Sequence, residues 1–190
     1  MLFPLADDDR NLLRPAWISI GLLVANVGLF FAQLLHPEFT HGFSAVPFEI
    51  TTGKDLIGEF PLNVGSQLAW VHHSPGPQPI YLTILSAMFL HAGWIHLAGN
   101  MLYLWIFGDN VEHRFGAWRF LVFYLISGIA ATAAQVAVDP DSIVPTLGAS
   151  GAISGVLGAY IVLFPTNSVH CVVLFRIVSL PAILVLGASP

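Results

Sequence analysis

The sequence predicts an all-α, polytopic helix bundle built into a membrane. Three observations predict it. The 190 residues are 56% hydrophobic and only 9% charged, whereas soluble domains carry about 25% charged residues. The mean hydropathy is +0.78. Apolar runs of bilayer-spanning length alternate with connections rich in Pro, Gly and Asp. The length suits one membrane domain over residues 1–190, with four full spans, a partial fifth and a long first outer loop over 36–80. The formal charge of −5 is small and scattered, which argues against a nucleic-acid partner. The single cysteine, Cys171, excludes an internal disulfide. Asp7, Asp8 and Asp9 stand where the basic n-region of a signal peptide would be, so no cleavable leader is expected.

The first span is Ala16 to Leu35, with Pro15 before it, where a missing N–H costs nothing. Asn26 and Gln33 are its strongly polar members. Residues 36–80 are too long and too rich in Pro, Gly and His for a tight turn. Tyr81 to Phe107 would make roughly 40 Å of helix, more than one hydrocarbon core. A break near His91–Gly93 is therefore expected, with Tyr81 to Leu90 at the interface and the second span starting near Gly93. "GDNVEHRFGA" reads as a polar connection to a third span, Trp118 to Val138. "DPDSIVPT" is a turn, and Leu147 to Phe164 a fourth span. A last apolar stretch runs from Val169, interrupted by Arg176 and Pro181. Arg10 and Arg14 precede the first span, and Arg114 and Arg119 lie between the second and third. Among basic residues the first loop holds only Lys54, and the third connection has Asp139 and Asp141 with no base. This asymmetry predicts a cytoplasmic amino terminus in a plasma or inner membrane, with the first loop and the Ser150 end of the fourth span outside.

Polar side chains inside a membrane bundle are costly, so they mark packing contacts or chemistry. His96 and Asn100 are four residues apart, on one helical face. Ser150 lies about one turn into the fourth span and His96 about one turn into the second, at similar depth. Acyl transfer needs a nucleophile, a base and donors for a tetrahedral oxyanion. Ser150, with His96, Asn100 and the Ser150 N–H as donors, fits that requirement. Gly148, Gly151, Gly155 and Gly158 form a stripe suited to close helix contact. Taken alone, Ser150 also reads as a small packing residue, and His96–Asn100 also reads as an interhelical hydrogen-bonding pair.

"HAGWIHLAGN" followed by "GASG" resembles the rhomboid family of intramembrane serine proteases, and the likeness covers nearly the whole chain. The resemblance implies an endopeptidase that cleaves peptide bonds in or near transmembrane segments of client membrane proteins, in the lipid bilayer. It assigns Ser150 as nucleophile and His96, Asn100 and the Ser150 N–H to the oxyanion site. It assigns His91 a structural role at the outer end of the second helix, and Glu112 with Arg114 a polar pair at its inner end. It implies no metal and no organic cofactor. The Trp-Arg pair that some members carry in the first loop is Leu82-Thr83 here. The family's general base is a histidine of a sixth span, and no residue here matches it. The expectation is a C-terminally incomplete chain without its base. The rival reading is a non-catalytic rhomboid-like protein that binds membrane clients.

Other signals are bland. His72-His73 lacks further metal ligands. Glu112-His113 is not a metalloprotease motif and reads as a solvated helix end. Arg176 reads as a snorkelling residue at the inner boundary of the fifth segment.

Overall fold

The computed structural model describes residues 3–7, 14–65, 67–173 and 176–187. Arg10, one of the basic residues that set the expected orientation, lies outside them, as do Asp8 and Asp9. Strand β1 is Phe3–Ala6. Helix α1, Trp17–Leu35, is the first apolar helix. Its buried residues Ser19, Leu22, Asn26, Phe30 and Gln33 recur at helical spacing along one face. The opposite face, with Trp17, Val24 and Phe31, is exposed, as a lipid-facing surface should be.

Pro37 opens the short helix α2, Pro37–Phe43, and Pro47 opens α3, Pro47–Thr52. Strands β2, Gly58–Val64, and β3, Gln67–His73, pair as an antiparallel hairpin. The first loop is thus an ordered layer. Ala45 and Thr146 exchange both backbone hydrogen bonds, at 2.9 and 2.7 Å. This bridge ties the layer to the segment that leads into the fourth apolar helix.

A one-turn helix α4, Thr83–Ser86, lies between two 3-10 turns, Ile80–Leu82 and Ala87–Phe89. Helix α5, Trp94–Phe115, follows after a bend of 76°. The break falls where the run was too long for one span. The expected polar connection at residues 108–117 is instead mostly helix. Its polar groups have partners inside the fold, so the helix need not stop where hydropathy falls. Glu112 is buried, and its carboxylate accepts from the N–H of Ile18 (3.0 Å), the N–H of Ser19 (2.7 Å) and Ser19 Oγ (2.8 Å). It caps α1, whose own preceding residue, Ala16, supplies no side-chain cap. Glu112 is therefore no solvated helix end. Arg114 is exposed and makes no ion pair with it.

Gly116 at φ +83° is the single residue between α5 and α6, Ala117–Val138. Helix α7 is Ser150–Leu163. The expected fourth span began at Leu147, but Gly148 at φ +125° cannot belong to a right-handed helix. Ser150 is accordingly the first residue of α7 and not one turn inside it. At 14 residues, α7 is roughly 21 Å long, shorter than a core of about 30 Å.

The expected partial fifth span is corrected to strands. β4, Ser168–Val173, and β5, Arg176–Pro181, pair antiparallel, with β1 on the other side of β4. Val169, Val172, Ile177 and Val178 are β-branched, which favours a pleated backbone. Hydropathy alone does not distinguish such a run from a helix. Arg176 opens β5 and is exposed, so it bounds no membrane helix. Helix α8, Ala182–Gly187, closes the described chain. Asp7 anchors the end of β1 by accepting from Asn110 Nδ2 at 2.7 Å and the Tyr160 hydroxyl at 2.5 Å.

The molecule is mainly helical, with five strands among the described residues. Among the described residues two helices, α1 and α6, are long and apolar enough to cross a bilayer, or three spans if the bent α4–α5 pair counts as one. Of the four full spans expected, the fourth, α7, is a shorter apolar helix. The core joins Leu104, Phe107 and Val111 of α5 to Tyr124 of α6 and to Val156 and Tyr160 of α7.

Candidate active site

The site forms where the bend before α5 meets the start of α7. Gln33 of α1 holds the bend: its side chain accepts from the His91 N–H (3.0 Å) and donates to the His91 carbonyl (3.2 Å). The His91 ring is buried, with no hydrogen-bond partner at either nitrogen. It packs edge-on against the His96 ring, centroids 5.2 Å apart.

One turn into α5, His96 and Asn100 face Gly148. A Cβ on Gly148 would lie 2.7 Å from His96 Cε1, 2.8 Å from Nε2 and 3.7 Å from Asn100 Nδ2. Glycine is required there twice over, by this close approach and by the positive φ. The Gly148 N–H donates to Ala87 O at 2.8 Å. His96 Nδ1 receives the Ala92 N–H at 3.5 Å, the outer limit of a hydrogen bond. An accepting Nδ1 leaves the proton on Nε2, the nitrogen nearer Gly148. Asn100 is 8% exposed, and its Nδ2 has no hydrogen-bond partner.

Two residues beyond Gly148, Ser150 is exposed, and its Oγ has no hydrogen-bond partner among the described residues. The first helical bond of α7 runs from Ile153 N to Ala149 O at 2.9 Å. The N–H groups of Ser150, Gly151 and Ala152 therefore have no helical acceptor, and they sit at the positive end of the helix dipole. A cavity of about 140 Å³ opens beside Ser150, lined in part by Met88, Leu147, Thr132 and Gln135. The last two escaped the sequence reading. Their signal was present: they are polar residues near the outer end of the third apolar run.

The structure thus places His96 and Asn100 against Gly148, two residues before Ser150, with the His91 ring against His96. It separates the glycine stripe. Gly151 lies on Ala131 of α6, where an added Cβ would be 2.5 Å from the alanine Cβ, and Gly155 lies on Ser127. Gly158 faces open space. Glu112 and Arg114 belong to the far end of α5.

Three comparisons bear on this geometry. A family model, the Rhomboid domain, matches residues 79–189. The chain is 37% identical over 166 residues to RHOMBOID-like protein 6, mitochondrial, of Arabidopsis thaliana, covering 80% of this chain and 53% of that protein. It is 43% identical over 84 residues to Rhomboid protease GluP of Bacillus subtilis, covering 44% of this chain and 16% of that protein. It is 34% identical over 119 residues to the putative rhomboid protease YdcA of Bacillus subtilis, covering 63% of this chain and 53% of that protein. The chain therefore spans about half or less of the length of these relatives. No solved structure matches.

Proposed function

The chain belongs to the rhomboid family, and on that premise we propose that its 190 residues form one membrane domain of an intramembrane serine endopeptidase. The observation that carries the reading is the unpartnered, buried Nδ2 of Asn100 beside Gly148, two residues from an exposed serine. A buried amide without an acceptor is costly, and a developing oxyanion would be its acceptor.

In this proposal Ser150 Oγ attacks the carbonyl carbon of a client peptide bond. The C–O bond forms, and the Oγ proton passes to a general base, which the family resemblance assigns to a histidine. The oxyanion is held by His96 Nε2–H, Asn100 Nδ2–H and the Ser150 N–H, aided by the α7 dipole. Collapse expels the amine, which takes up the proton, and water then releases the acyl group. Client segments enter as locally unwound backbone, because a helical peptide bond does not present its carbonyl. The amino terminus is cytoplasmic in this reading, with Ser150 at the outer end of its helix.

One observation favours the second reading, a non-catalytic binder of membrane clients: Ser150 Oγ touches no described base. Fluorophosphonate treatment followed by peptide mapping separates the two. An adduct on Ser150, absent in Ser150→Ala, supports the protease. A folded protein that binds a membrane client and takes up no label at Ser150 supports the binder and refutes the protease.

A further inference from the structure

At the opposite end of α1 from the bend, α1 and α5 enclose a cavity of about 270 Å³ that the candidate active site does not use. Its walls are mainly apolar, from Ile20 and Leu23 of α1 and the exposed Trp105 of α5. Arg14 and Asp109 line it as well. The His113 ring bridges the backbone there, with Nε2 2.8 Å from Arg14 O and Nδ1 2.7 Å from Asp109 O. The backbone at Arg14 is thus fixed to α5, while its side chain is exposed and makes no ion pair among the described residues.

We propose that this cavity binds an anionic phospholipid, with an acyl chain against Ile20, Leu23 and Trp105 and the phosphate at Arg14. The protein is integral to a membrane, so lipid is the medium that meets this exposed face of α1 and α5. An apolar slot with a guanidinium beside it that pairs with no described carboxylate matches the two halves of such a lipid. The Arg14 side chain is the phosphate contact, and the apolar slot takes the chain.

The test uses the protein in mixed micelles with brominated-chain phosphatidylglycerol or phosphatidylcholine. Trp105 fluorescence is read as the difference between the protein and its Trp105→Phe variant. Phosphatidylglycerol is expected to quench Trp105 at about fivefold lower concentration than phosphatidylcholine, the effect of one arginine near an anionic lipid surface. In Arg14→Gln, which alters only an exposed side chain, the two lipids should quench alike. Equal quenching in the unaltered protein, or a preference that survives Arg14→Gln, overturns the proposal. Inorganic phosphate alone should leave the melting temperature unchanged where phosphatidylglycerol raises it. An equal rise with phosphate would show a free-anion site and would also overturn it.

Discussion

Gln33 and His91, 58 positions apart in sequence, are joined by a two-way hydrogen bond between one side chain and one backbone unit, at 3.0 and 3.2 Å. Both groups are buried, so neither His91 backbone atom has water as an alternative partner. Gln33 Nε2 also reaches Thr40 Oγ1 at 2.8 Å, which draws α2 to the same point. A single polar residue in an apolar helix thus holds the bend from which His96 is presented.

Gln33→Leu should therefore destabilise the protein although it makes α1 more apolar. Orphaning a buried N–H and carbonyl costs about 1–3 kcal/mol per group. The melting temperature in detergent should fall. A variant that melts like the parent would show that the bend is held by other contacts.

Glu112→Ala should act at the other end of α5. It removes the cap on α1, leaving the N–H groups of Ile18 and Ser19 without their acceptor. Cap loss costs about 0.5–2 kcal/mol, and hydrogen exchange in the first turn of α1 should quicken. Glu112→Gln keeps an acceptor oxygen and should lose less. Equal effects of the two substitutions would count against capping as the role.

How legible this fold was depended on what each residue touches. The bend was readable, because an apolar run longer than a bilayer core containing "HAG" has to be interrupted. Depth along the helices had put His96 and Asn100 near the start of α7, and they lie against Gly148. The burial of Glu112 was not, since its partners are backbone amides more than 90 positions away and no periodicity records them. The β4–β5 hairpin was missed because valine and isoleucine are equally apolar in a strand and in a span. Ser150 was placed one turn too deep, because hydropathy counts Leu147 as helix while the positive φ of Gly148 forbids it. Thr132 and Gln135 were not singled out within the third span, and the structure places them in the cavity that Ser150 also lines.

Glu49, in the first-loop layer, gives that layer a pH dependence. Burial raises its carboxyl from the ordinary 4.5 to about 7, against the lowering effect of the Leu56 N–H bond and with a small addition from Asp55. The folded value lies above the unfolded one, so folding favours the protonated form. This contribution is fully present below about pH 4.5 and is lost as the pH rises towards about 7, with no further change above. Amide exchange at Leu56 and in α3 should be slower at the acidic end of that range. Glu49→Gln should remove the difference. Exchange that is independent of pH, after correction for intrinsic rates, would contradict this.

The central claim is that Ser150, His96 and Asn100 form one acyl-transfer site, and the rate of fluorophosphonate attachment to Ser150 tests it most directly. The rate should be zero in Ser150→Ala. It should fall in Asn100→Ala and in His96→Ala by up to about 10²–10³, the scale of one oxyanion donor, with the remaining donors limiting the loss. Circular dichroism melts of each variant separate this from unfolding. Attachment at the parent rate in folded Asn100→Ala and His96→Ala would contradict the account.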